Sequence, residues 1–145
     1  MVTQTASGVK TAGAALTASD AIATIGVKDL KAARRFYEEK LGFEPVDMHE
    51  PVDMHEDDVV TYQTGRSKFF VYKSDFAGTN KATAMTWVVG DVDAIVSDLN
   101  EQGVRFEHYE MPGMTLEGDV HVAGRMRAAW FKDPDGNILA IVNEG

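Results

Sequence analysis

Four histidines and no cysteine bound the chemistry open to this 145-residue chain. Without thiols there is no disulfide framework, no thiolate nucleophile and no sulfur-built zinc site, so any metal would need imidazole and carboxylate donors. Two of the histidines lie in a tandem repeat, Pro45-Val46-Asp47-Met48-His49-Glu50 followed at once by Pro51-Val52-Asp53-Met54-His55-Glu56. Six residues of strand would put His49 and His55 on one face but roughly 20 Å apart, and six of helix would set them about 240° apart. Neither regular geometry chelates with both, so the segment reads as a duplicated stretch of surface loop, with a loop metal site or an extended dimer contact as the alternatives. His108 and Glu110 are closer: two residues apart on an expected strand, they share a face at roughly 6.5 Å. Pointing into a pocket, His108 would be the chain's candidate catalytic residue, a general base, because imidazole titrates near neutral pH. Pointing outward, the pair would be an ordinary polar strand face. His121 follows Gly118-Asp119 and precedes a strand, a rim position with the same two readings.

Aromatic side chains are the second chemical resource. Tyr62, Phe70, Tyr72, Trp87 and Trp130 all fall on expected strands, where a ring can stack on a ligand or meet a helix in the core. Alternation separates Phe70 and Tyr72 from Phe69 and Val71, so one pair faces the helix layer and the other faces away. Met111 and Met114 bracket Gly113 in a loop, and methionine adapts to irregular apolar shapes. The candidate ligand-binding set is therefore Tyr62, Phe70, Tyr72, Trp87, His108, Met114, His121 and Trp130. No Gly-rich phosphate loop, nucleophile elbow or His-Glu-x-x-His signature occurs.

The elements that position these residues follow from periodicity. Residues 1–19 are rich in Thr, Ala, Ser and Gly without a sustained period and read as a flexible tail or arm. Ala21 to Val27 is strand-like, Asp29 is a helix N-cap, and Leu30, Ala33, Phe36, Tyr37 and Leu41 recur at helical spacing before Gly42. A strand beginning near Phe43, a charged loop, and strands at Val59 to Thr64 and Lys68 to Lys73 joined around Gly65 complete the first unit. The order then repeats. Ala84 to Val89 is a strand, Asp91 caps a helix with Val92, Ile95, Val96 and Leu99 on one face, and Gly103 ends it. Val104 to Tyr109 is an expected strand that Met111-Pro112-Gly113 breaks, and Arg125 to Phe131 pairs with Ile138 to Asn143 across Asp133-Pro134-Asp135-Gly136. Such a pattern is a duplicated supersecondary unit, with module one at about 20–75 and module two at about 82–145 of a single domain spanning 20–145.

Composition excludes several classes. The length suits one domain, and 44% hydrophobic with 26% charged residues is ordinary globular composition. No stretch nears the roughly 20 apolar residues of a membrane helix, and no segment resembles a signal peptide, so a soluble, cytoplasmic protein is expected. A net charge of -9 without a basic stripe argues against nucleic-acid binding. An acidic surface would, if anything, focus a field that favours cations.

Gly26-Val27-Lys28-Asp29-Leu30, Arg35-Phe36-Tyr37 running into Leu41-Gly42-Phe43, and Trp130-Phe131-Lys132-Asp133-Pro134-Asp135-Gly136-Asn137 together resemble the vicinal-oxygen-chelate (VOC) superfamily of glyoxalase, bleomycin-resistance and dioxygenase-like proteins. The resemblance runs from about Ala21 to Asn143. It implies an α+β fold of two βαβββ modules whose cupped mixed sheets hold a ligand, and a homodimer. Members include metal-dependent enzymes and metal-free proteins that sequester antibiotics. Carried over by register, the metal-ligand positions of the family fall on Ile22, Ala84, Ala140 and Phe69 or its neighbour. None of these can donate to a cation. The resemblance thus implies a metal-independent small-molecule binder with no cofactor and no bound metal. The alternatives are a lyase or dioxygenase holding metal through His108, Glu110 and His121, and a structural or regulatory partner whose cup is filled by its own side chains.

Overall fold

A computed structural model describes residues 16–46 and 58–144. Residues 1–15 of the expected tail or arm and most of the repeated segment, with His49 and His55, lie outside the described residues.

The first module forms a three-stranded sheet from β1 (Ala23–Val27), β2 (Val59–Thr64) and β3 (Ser67–Lys73). Its order is β1-β3-β2, with β1 parallel and β2 antiparallel to β3. The expected strand near Phe43 is reduced to a single bridge between Pro45 and Tyr62, supported by the Val46 N–H donating to the Thr61 carbonyl at 2.9 Å. Proline has no N–H to extend a ladder, which is one reason the pairing stays short. The Asp29 carboxylate caps helix α1 (Leu30–Arg34), accepting from the N–H of Lys31 at 2.9 Å and of Ala32 at 3.3 Å. The helix then widens into a π-helical segment, Arg35–Lys40, instead of continuing with regular α spacing. The wider turn places Phe36 and Tyr37 together in the core.

The second module forms a six-stranded sheet. Four strands, β4 (Thr83–Val88), β9 (Ile138–Val142), β8 (Met126–Lys132) and β5 (Phe106–Glu107), repeat the first module's order. The helix α2 (Val92–Glu101) sits between β4 and β5, capped by Asp91. The β5 strand is two residues long where the sequence suggested six: Val104 N–H closes the helix end onto the Leu99 carbonyl, and Tyr109 N–H is taken by His121. A hairpin not expected from the sequence pattern, β6 (Thr115–Glu117) and β7 (Val120–Ala123), extends the sheet beyond β8. Its turn, Gly118-Asp119, is a two-residue hairpin signal, with Gly118 at φ 64°.

Burial resolves the alternation. Phe69 and Val71 are fully buried, with Phe69 packed on Tyr37 of the helical segment, so Phe70 and Tyr72 are half-buried on the opposite face. In the second sheet, Phe131 and Trp87 lie on the helix side while Trp130, Ala140 and Thr86 share the other face by register. The core is a continuous run of rings from Tyr62 through Tyr37, Phe69 and Trp87 to Phe131, so aromatic packing joins the two modules.

Candidate functional site

Between the edge of β4, helix α2 and the tip of the β2–β3 hairpin lies a hollow of about 650 Å³. Its floor is aromatic: Phe43 stacks on Trp87 with ring centroids 5.7 Å apart and planes 22° apart, and Trp87 stacks on Phe131 at 6.3 Å and 10°. Met85, Ile95 and Leu99 line the sides. The Trp87 indole N–H donates to the Thr64 hydroxyl at 3.0 Å, which fixes the ring's rotation and ties the hairpin tip to the floor. Arg66 and Lys68 stand at the rim, and among the described residues no Asp, Glu or His lines the hollow. This combination of apolar depth and a few polar rim groups, at this size, is what small-molecule pockets present.

A second, smaller hollow of about 450 Å³ is bounded by Tyr109, Glu110, Met111, Pro112, Met114 and His121, among others. His121 is 1% exposed and packs edge-on to Trp130 at 4.9 Å. Its Nε2 lies 2.9 Å from the Tyr109 backbone nitrogen. The same Nε2 also lies 3.1 Å from the Tyr109 carbonyl, so the tautomer decides which of the two contacts is made and whether Nδ1 carries a proton. That Nδ1, like the Tyr109 hydroxyl, is buried without a partner among the described residues. Burial and the nearby Glu107 charge raise the Tyr109 phenol above its ordinary range.

The candidate residues thus divide. Met114, His121 and Trp130 gather around the smaller hollow; Trp87 belongs to the larger one. Tyr62 is fully buried in the core, its hydroxyl donating to Glu38 at 2.7 Å. Phe70 and Tyr72 share the half-buried face of β3. His108 is half-exposed, and its Nε2 lies 2.7 Å from Asp119 Oδ1. That contact and the Asn100 amide hold the Asp119 carboxyl below its ordinary range. His108 borders neither hollow that holds the other candidates. Phe43, Met85, Phe131, Arg66, Lys68 and Tyr109 were not singled out by sequence, although Phe43 and Phe131 sit inside the motifs that carry the family resemblance.

The metal positions implied by that resemblance do not fit a metal. Ile22 precedes β1, Ala84 lies on β4, Ala140 is 2% exposed in β9 and Phe69 is buried against Tyr37. All four are hydrocarbon, and among the described residues no three His, Asp or Glu side chains gather as a metal-binding group. His108, Glu110 and His121 in particular form no such group, His108 being engaged with Asp119 and His121 with the Tyr109 backbone. No catalytic step can be derived through a metal here.

Residues 19–141 match the Glyoxalase/Bleomycin resistance protein/Dioxygenase superfamily. No curated protein matches the chain. Among solved structures, the chain is similar to a glyoxalase/bleomycin resistance protein from Catenulispora acidiphila DSM 44928, at 25% identity and TM-score 0.60, covering 87% of this chain and 98% of that one. It is also similar to TnmS3, an antibiotic binding protein from Streptomyces sp. CB03234, at 22% identity and TM-score 0.57 over 88% of this chain and 98% of that one. A lactoylglutathione lyase from Agrobacterium tumefaciens gives 15% identity and TM-score 0.63, covering 88% and 94%.

Proposed function

This chain belongs to the Glyoxalase/Bleomycin resistance protein/Dioxygenase superfamily, and from that premise we propose that it is a metal-independent binding protein for a small, partly aromatic molecule. The observation that carries the reading is the 650 Å³ hollow, floored by stacked Phe43, Trp87 and Phe131 and lined by no His, Asp or Glu among the described residues. Its lining can recognise a guest by shape, stacking and apolar burial. Similarity to an antibiotic binding protein supports sequestration of an antibiotic or metabolite as the biological role. The same reading takes the protein as a cytoplasmic homodimer, with residues 1–19 as an arm preceding the single domain.

The test is a ligand screen followed through the two tryptophan indole N–H signals in nitrogen-resolved spectra, assigned with a Trp130→Phe variant. A bound aromatic compound is expected to move the Trp87 signal, and treatment with a chelator is expected to leave its affinity unchanged. Binding that disappears on chelation and returns with a divalent ion would overturn the reading. A compound that moves only Trp130 would transfer the site to the His121 hollow.

A further inference from the structure

We propose that the 650 Å³ hollow selects an amphipathic organic anion: a flat apolar body inserted against Trp87, with its acidic head held at the rim by Arg66 and Lys68. The proposal rests on the small-molecule reading of this hollow and adds the charge and shape of the guest.

Composition makes the rim unexpected. Asp and Glu outnumber Lys and Arg 23 to 14 in the whole chain, yet the described residues lining the hollow include two cations and no acid. Three cations among the described residues sit in ion pairs, Arg34 with Glu38 at 2.7 Å, Arg127 with Asp93 at 2.8 Å and Lys132 with Glu107 at 3.4 Å. Arg66 and Lys68 have no ion-pair partner among the described residues. Their charge is available to an incoming group.

The tip that carries them is held in place. Gly65, at φ 55°, makes the two-residue turn possible. The Gln63 side-chain amide donates to the Gly65 carbonyl at 2.8 Å, and the Ser67 hydroxyl donates to the Thr64 carbonyl at 3.1 Å. Thr64 in turn accepts the Trp87 indole N–H, so the cationic rim and the aromatic floor are parts of one fixed frame. Preorganisation of this kind spares the ordering cost that a floppy loop would add on binding.

Energetics favour an acid over a neutral or basic guest. An ionised head left at the open rim keeps much of its hydration and gains charge-assisted hydrogen bonds from Arg66 and Lys68, while the body leaves water. A basic head would meet two like charges. The chain's overall charge of -9 opposes an anion from afar, but at physiological salt such fields decay within about 8 Å. At the rim the local cations dominate.

Naphthalene-2-acetate and its primary amide test the idea, because they share a body and differ in charge. Each is titrated by calorimetry into the full chain and into an Arg66→Gln/Lys68→Gln variant, with the Trp87 indole N–H signal as the reporter of place. The acid is expected to bind the unaltered protein about tenfold more tightly than the amide. The double variant should bring the acid's affinity down to that of the amide, and an Arg66→Lys/Lys68→Arg exchange should restore the preference. Equal binding of acid and amide, with Trp87 responding, would overturn the anion preference and leave the hollow as a binding site. Binding of neither compound, or binding that leaves Trp87 unmoved, would remove the small-molecule reading of this hollow and the proposal with it. Both substituted residues lie on a hairpin tip outside the core, and an unchanged melting temperature checks that the variants fold.

Discussion

Asp133 shows how a single side chain can hold two modules together. It is 4% exposed, and its carboxylate receives four donors: the N–H groups of Asp135 and Asn137 on Oδ1, the Tyr37 hydroxyl at 2.9 Å and the Asn137 amide at 2.8 Å on Oδ2. Asn137 also donates to the Gly26 carbonyl at 2.8 Å, so this turn of the second module is bonded to both a helix and a strand of the first. Burial still outweighs the donors and raises the Asp133 carboxyl above its ordinary range. Burial and the adjacent Asp133 charge likewise push the Tyr37 phenol upward. The folded state therefore binds the Asp133 proton more tightly than the unfolded chain does. The stabilisation linked to that proton is complete below the ordinary aspartate value of about 3.9 and is lost as pH rises through the elevated one. An Asp133→Asn variant lacks this titration. Denaturant unfolding of both proteins between acid and neutral pH should show the advantage of the unaltered protein shrinking as pH increases, and a difference that grows with pH would contradict the assignment.

At the scale of elements, the connection between modules passes against the Asp135 backbone at Gly78. Its φ is 71°, and a Cβ there would collide with the Asp135 backbone carbonyl. Gly113, at φ 80°, has open space where its Cβ would be. Gly113→Ala therefore carries only the left-handed backbone cost of about 1 kcal/mol. Gly78→Ala adds a clash with backbone, and the expected loss is about 2 to 4 kcal/mol in equilibrium unfolding. Equal losses for the two would show that the connection yields freely. The same contrast between local and distant causes explains what was legible in the sequence. Caps, helical stripes and turn glycines are local signals, and Asp29, Asp91, Gly65 and Gly136 all occupy the positions that their chemistry suggests. The short β5 and the bridge at Pro45 depend on which distant groups take their backbone hydrogen bonds. Hairpin β6–β7 did have a local signal, Gly118-Asp119, but with only three or four residues on each side its alternation is weak. The site was legible only in part, because alternation gives two faces without naming them. Trp87, Met114, His121 and Trp130 border hollows or pack beside one, while Tyr62 is sealed in the core by a packing choice that no spacing reveals.

At the scale of the whole molecule, the decisive property is the absence of donors where the superfamily's metal-using members carry them. A site that binds the folded state and not the unfolded one stabilises it by about 2.7 kcal/mol when ligand is present at a hundred times its dissociation constant. For a domain of this size that corresponds to a rise in melting temperature of roughly 5 to 15 °C. Hydrocarbon at Ile22, Phe69, Ala84 and Ala140 offers no such stabilisation, so millimolar zinc, manganese or nickel is expected to move the melting temperature by less than about 1 °C. The repeated His-Glu pairs call for a parallel measurement on a His49→Ala/His55→Ala variant. A metal-dependent rise that vanishes in this variant would assign the ion to the repeat and leave the hollow as a metal-free site. A rise that persists in the variant, with one ion retained per chain by native mass measurement, would mean that other side chains hold a metal, and the metal-independent reading would fall.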